Sequence, residues 1–339
     1  MTAGRSQRAA LEVIGLSKSS FHYRSKPRAP VAVPVLHRDR HQPAALSQHE
    51  RDQICQLLAQ GAREGLSVEQ IHLRHLDSGP VLASSATFHR LASQMGSPVL
   101  ARPVRARRAR TSTVPQLMAT GPDQVYCWDI TFLPGLMRGE RYALYSVIDL
   151  YSRKIVGHTV QSSENHLIAA RLLTGVIEAA GGTVRVVHSD NGAAMTSASV
   201  AKTLADHGVE RSLIRPGVSN DNAYIESWFG TVKGSQHYPG VFQDIDHAQT
   251  WVTDWVCWYN TEHRHSALAG YTPASMHDGS WTQQAAARQQ AMHAHYRAHP
   301  RRYRQEPTVL TPPARATINL ANDGSRLKLP PTIHTLISH

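Results

Sequence analysis

Up to about residue 96 the apolar positions recur at helical spacing; from residue 123 the period becomes that of strands. Gln7 to Ile14 reads as a helix stopped by Gly15, and Ser19 to Tyr23 as a second short one. Residues 46–96 are better patterned. Ser47 precedes a stripe of Ile54, Leu57 and Leu58 that Gly61 and Gly65 end, Ser67 opens a helix with Ile71 and Leu76 inward, and Ser84-Ser85 enters a third at Ala86 to Leu91. Strands are predicted at Gln124–Phe132, Arg141–Leu150 and Lys154–Gln161, joined by turn formers into an antiparallel meander. A helix from Asn165 to Ala180 follows, then a strand ending at Asp190, a helix from Thr196 to His207, a strand from Val209 to Ile214, and a helix carrying Glu226. Three antiparallel strands followed by alternating β and α predict an α/β fold, a mixed five-stranded sheet with flanking helices, preceded by an all-α region. Asp244 to His263 and residues 282–298 are further helices, and the tail beyond Pro300 is basic, Pro-rich and extended, with weak strand character at Ala316 to Leu320. The three tryptophans of the Asp244–His263 helix, Trp251, Trp255 and Trp258, fall at core spacing.

The three-helix stretch admits two uses. As a helix-turn-helix its last helix enters a major groove, which makes Ser85, Thr87, His89 and Arg90 candidate DNA contacts; otherwise it is a bundle packed on the next domain. The boundaries that result are a short helical and basic segment at 1–45, a helix-turn-helix domain at 46–100, a basic linker at 101–120, a catalytic core at 121–280, and a tail at 281–339.

Charge sharpens this division. Residues 1–110 hold 17 Lys+Arg against 7 Asp+Glu, residues 111–300 hold 13 against 16, and residues 301–339 hold 6 against 2, within a net charge of +11. Basic ends around an acidic middle fit polyanion binding by the ends and metal binding in the middle. Residues 101–110 carry five arginines, of which Arg105, Arg107, Arg108 and Arg110 form a run suited to tracking phosphates. The three cysteines are far apart and no CxxC occurs, which excludes a disulfide framework or Cys-rich zinc site and suits a reducing, cytoplasmic setting. Nothing apolar is long enough to span a membrane, and the first residues lack the apolar core of a secretion signal.

The candidate chemistry lies in three carboxylates. Asp129 interrupts an apolar strand, where an uncompensated charge is costly; Asp190 ends the strand Val184–Val187 in His188-Ser189-Asp190-Asn191-Gly192; Glu226 sits on a helix opened by Ser219-Asn220-Asp221-Asn222. Carboxylate oxygens converging from two strands and a helix suit two Mg²⁺ or Mn²⁺ ions, which about 3.5–4 Å apart activate a nucleophile and stabilise a leaving oxygen in phosphodiester displacement. Serine-hydrolase and phosphate-loop motifs are absent. His37 with His41, His72 with His75, and His263 with His265 have metal-like spacings but lack the cysteine partners of a zinc site.

Trp128-Asp129-Ile130-Thr131, Asp149 to Arg153, His188 to Gly192, Arg215-Pro216-Gly217 through Glu226, Lys233, Tyr259-Asn260, Arg264-His265-Ser266 and Thr272-Pro273 together resemble the second-frame product of bacterial insertion-sequence transposases, over about residues 10–280. The resemblance implies an RNase H-like integrase core, Asp129, Asp190 and Glu226 as the catalytic and metal-binding triad, cleavage at transposon ends, and strand transfer into target DNA by a homo-oligomer assembled on DNA. It also implies that Lys233 and Asn222 approach transposon-end DNA, although Lys233 at a helix surface is equally a solvated residue. In such elements an upstream frame supplies a further helix-turn-helix and a zipper; no heptad run of four repeats occurs here, so an upstream-frame partner or fusion is expected. Two rivals stay open: an RNase H-like nuclease that does not join strands, and a non-catalytic DNA-binding partner.

Overall fold

The computed structural model describes residues 7–26, 45–96, 115–215, 219–320 and 324–328. Two compact units divide after Ala45. In the first, α1 (Gln7–Val13) ends at Gly15, whose φ of 65° suits glycine, and α2 (Lys18–Ser25) is capped by the Ser17 hydroxyl, which accepts the Ser20 N–H. The Arg105–Arg110 run and the His37–His41 pair lie outside the described residues.

The second unit begins with three helices, α3 (Gln48–Arg63), α4 (Val68–Ser78) and α5 (Ser85–Gln94). Ser47 with Glu50, and Ser67 with Gln70, form reciprocal capping boxes that satisfy the first free amides of α3 and α4. Ile54, Leu58, Val68, Ile71, Phe88 and Leu91 close a small core between them. Two details differ from the sequence reading. Gly61 lies within α3 rather than ending it, because a side chain there would strike Ile71 and only glycine lets α4 approach; Leu73, not Leu76, is the second inward residue of α4.

The sheet holds β2 (Val125–Pro134), β3 (Arg141–Asp149), β4 (Ile155–Gln161), β5 (Val186–Ser189) and β6 (Glu210–Leu213) in the order β4-β3-β2-β5-β6. β3 pairs antiparallel with β2 and with β4, while β5 runs parallel to β2 and to β6. This is the RNase H-like arrangement, and its five strands match the predicted ones to within two residues at each end. β4 starts after Lys154 because Arg153 turns the chain with φ 64°. Alternation along β2 divides the interior in two. Val125, Cys127 and Leu133 face one layer with Ile225, Trp228 and Phe229; Tyr126 and Trp128 face the other with Leu173, Val200 and Leu204. The first layer is α8 (Ala223–Lys233) with α9 (Ile245–Thr261), α10 (Pro273–Asp278) and α11 (Trp281–Ala298); the second is α6 (His166–Ala179) with α7 (Ala198–Asp206).

A two-stranded sheet pairs β1 (Leu117–Ala119) with β7 (Ala316–Ile318). Its first strand lies in the stretch assigned to the linker, where three residues carry no readable period. The tail is correspondingly not free: Val309, Ala316 and Ile318 are buried in the first layer's core. The three tryptophans pack against the border of this core. Val252, Val256 and Tyr259 take the buried side of α9, while Trp251, Trp255 and Trp258 stack beside it, half-buried, along a cleft of about 500 Å³ with Arg63, Leu66 and Arg74.

The three-helix region both packs on the core and leaves a face outward. Asp77 of α4 pairs with Arg288 and Arg264, and Glu50 with Arg302. Among the described residues no helix is long and apolar enough to cross a membrane.

Candidate active site

Register brings the first two carboxylates together. β5 pairs with β2 as Val125↔Val186, Tyr126↔Val187 and Cys127↔His188. Two residues further the chains reach Asp129 and Asp190, level with one another on neighbouring strands about 4.8 Å apart. Asp129 shares the parity of Cys127, so it faces the layer of α8, and its antiparallel partner is Ser146. There the Trp228 indole N–H of α8 donates to the Ser146 hydroxyl (3.2 Å). Glu226 lies half a turn before Trp228 on the same helix, exposed at its surface.

One oxygen of each aspartate is already anchored. Asp129 Oδ1 accepts the Ile130 N–H (2.7 Å) and Asp190 Oδ1 the Gly192 N–H (2.9 Å), which fixes both side chains and leaves the other oxygens available. Burial, followed by the charges of Asp190, Glu226 and Glu164, pushes the Asp129 carboxyl up to about 7 despite the Ile130 hydrogen bond. Burial also raises the Glu226 carboxyl and lowers the Lys233 ammonium. A cluster of oxygens that resists its own ionisation is a fitting host for a hard divalent cation, whose charge reverses both penalties. The three carboxylates do not all fall within 4.8 Å of one another, and Glu226 is the exposed one.

Most of the surrounding motif residues act on the start of α8. His188 is fully buried; its Nε2 donates to the Asp221 carbonyl (3.0 Å) and its Nδ1 meets the Ser212 hydroxyl (2.9 Å). The Asp221 carboxylate, also fully buried, takes the Arg215 guanidinium at 2.8 Å through both Nε and Nη2 and the Arg215 N–H at 3.1 Å. These contacts hold that carboxyl down at about 2. From the tail, the Asn319 amide donates to Asp221 Oδ1 (2.8 Å) and the Tyr224 hydroxyl donates to the Thr317 carbonyl (2.8 Å). Arg153 lies 3.8 Å over the Tyr224 ring. Asn319 and Tyr224 were missed in the sequence, where neither sits in a recognisable spacing. Asn260 and Thr272 are structural as well: the former brackets Ile155 with both amide groups, and the latter caps α10.

A family model described as an integrase core domain matches residues 119–219, and a second of the same description matches residues 207–273. The transposase for insertion sequence element IS904 of Lactococcus lactis is 30% identical over 171 residues, half of this chain and 67% of that protein. The chain belongs to the insertion-sequence transposases. Over a longer span, an uncharacterized 31.7 kDa protein of insertion element IS407 from Burkholderia multivorans is 27% identical across 79% of this transposase and 89% of its own length. Among solved structures, the HTLV-2 integrase catalytic core domain in complex with magnesium is 15% identical, covering 46% of this chain and 97% of that one with a TM-score of 0.37.

The expected DNA contacts of the transposase divide. Lys233, two turns along α8 from Glu226, donates to the Thr131 hydroxyl (2.6 Å) at the edge of the carboxylate cluster. Arg90 is exposed on α5 and Thr87 half-exposed beside the Ser84 hydroxyl. Ser85 instead donates to the Glu69 carboxylate, so its hydroxyl is engaged within the bundle. Asn222 does not reach an outer surface: it is 2% exposed, and its amide donates to the Trp128 carbonyl (3.4 Å), tying the start of α8 to β2 beside Asp129.

The elevated Asp129 carboxyl gives a pH signature for the metal-free transposase. Its folded pKa of about 7 lies well above the ordinary aspartate value. Below that ordinary value it is protonated in both states and costs nothing. As pH rises from there to about 7 the unfolded chain ionises first and folding loses stability, on the order of 4 kcal/mol in all. Asp129→Asn should therefore raise the thermal midpoint at pH 8 and leave it unchanged near pH 4 in chelator-treated protein. Added Mg²⁺ should narrow the gap at pH 8; an Asn variant without advantage there would show that Asp129 is not electrostatically strained.

Proposed function

We propose that this transposase cuts at transposon ends and joins the freed 3′ ends to target DNA by in-line phosphodiester displacement, with Asp129, Asp190 and Glu226 as its catalytic carboxylates. The observation that carries the reading is the β2–β5 register, with Asp129 and Asp190 level on neighbouring strands beneath the helix of Glu226. Two Mg²⁺ or Mn²⁺ ions, when bound by these three residues, supply the positive charge that activates the attacking oxygen and stabilises the leaving one. The chain's own residues then orient and exclude. The Ile130 and Gly192 amides fix the aspartates, and the Asp221 cluster sets the entry of α8 and with it the height of Glu226. Lys233 stands at the rim where a phosphate of the transposon end would lie, and its burial-weakened charge is restored by that contact. Arg90 and Thr87 on α5 supply groove and backbone contacts outside the core, and several copies assemble on the DNA.

A strand-transfer assay with a pre-cleaved end, target plasmid and Mg²⁺ separates this reading from its rivals. Joined product supports a transposase in the full sense. Cleavage without joining identifies a nuclease, and neither identifies a binding partner that depends on an upstream-frame protein or fusion.

A further inference from the structure

The end of α11 and the first turn of α3 meet at a cluster that the nucleic-acid chemistry does not use. Donor atoms of Glu50, His295 and His299 all lie within 4.8 Å of one another. The two histidines are four residues apart, one at the last turn of α11 and one at its C-cap, with ring centroids 4.7 Å apart. His295 has its Nδ1 2.6 Å from the Tyr303 hydroxyl, while its Nε2 is buried and has no hydrogen-bond partner. An imidazole whose outer nitrogen is oriented by a hydroxyl and whose inner nitrogen is buried and unpaired has the form of a metal ligand awaiting its ion.

We propose that Glu50, His295 and His299 form a structural site for one zinc ion that fastens the three-helix region to the C-terminal helix. Two imidazole nitrogens and one carboxylate oxygen select Zn²⁺, or Co²⁺ as its substitute, over Mg²⁺, and water completes the tetrahedron. The donors are in the protonation states a metal requires. The Arg302 hydrogen bonds and the Ser47 cap hold the Glu50 carboxyl down at about 2, and burial, with His299 and Arg302 nearby, lowers the His295 imidazolium. Glu50 Oε2 is filled by the Ser47 N–H and hydroxyl and by Arg302 Nη2, whereas Oε1 accepts Arg302 Nη1 (2.8 Å) and offers its second lone pair to the ion. The guanidinium opposes an added cation, so the site is expected to bind zinc at micromolar rather than picomolar strength. Bound zinc would join residues about 250 positions apart, beside the Asp77 pairs with Arg264 and Arg288.

The test uses full-length protein, stripped with chelator and titrated calorimetrically with Zn²⁺ in excess Mg²⁺. The reference is His295→Ala/His299→Ala, so that zinc entering the carboxylate cluster counts equally in both. Wild type should bind one more equivalent than the double variant; equal stoichiometry overturns the proposal. Because the double variant could lose its fold, Tyr303→Phe and His299→Asn are titrated alongside. Loss of the orienting hydroxyl should weaken zinc binding about 10-fold to 100-fold, and wild-type affinity in both single variants would likewise reject the site. Co²⁺ should add visible absorption bands to wild type that His299→Asn diminishes.

Discussion

Asp190→Asn is expected to reduce both strand cleavage and joining by on the order of 10³-fold or more, a loss of about 4 kcal/mol in transition-state stabilisation. The amide is nearly isosteric, and its oxygen still accepts the Gly192 N–H, so the end of β5 keeps its shape. What disappears is the negative charge opposite Asp129. DNA affinity should change little, because the basic ends are untouched. The measurement pairs a cleavage time course with a filter-binding isotherm at one salt concentration. Equal losses in both would mean that Asp190 serves folding or binding and not chemistry. Glu226→Gln should show the same split in Mg²⁺.

Arg215→Met is expected to cost about 3 kcal/mol of stability, because it leaves the fully buried Asp221 carboxylate without its cation. A loss of that size corresponds to a fall of roughly 6–10 °C in the thermal midpoint. Activity should fall further than stability accounts for, even well below the new midpoint. Asp221 anchors the turn that feeds α8, and a displacement of about 1 Å at a reacting group can cost 10²-fold. Asn319→Ala removes one neutral donor from the same carboxylate and should move both readouts in the same direction by about 1 kcal/mol. An Arg215→Met protein with the wild-type midpoint and rate would show that α8 is held by packing alone.

The strands of the core were legible because each carries a long apolar run closed by turn formers, and Asp129 stood out as a charge inside one of them. Asp190 and Glu226 were readable by position but not by contact; the register of β5 on β2 is what carries Asp190 toward Asp129. Residues that act through a partner far along the chain were not legible. Asn319 reaches Asp221 across 97 intervening residues, and β1 has no period of its own without β7. Asn222 was misassigned for a related reason. The resemblance placed it at DNA, but a buried amide beside an exposed one looks identical in sequence, and here the Trp128 carbonyl claims it. The tryptophans of α9 were legible as a stripe: they pack, half-buried, against the core whose centre is filled by Val252 and Val256 of the neighbouring stripe.

The pairing of β1 with β7 has a consequence for the order in which the enzyme becomes competent. Ala119 leaves the ribosome 197 residues ahead of Ala316, its partner. At roughly 5–20 residues per second that is a wait of about 10–40 s. During it the five strands and the helix of Glu226 are synthesised, while the Asn319 and Thr317 contacts to Asp221 and Tyr224 do not yet exist. The start of α8 thus gains its last two braces only once residues 317–319 have been made, near the end of synthesis.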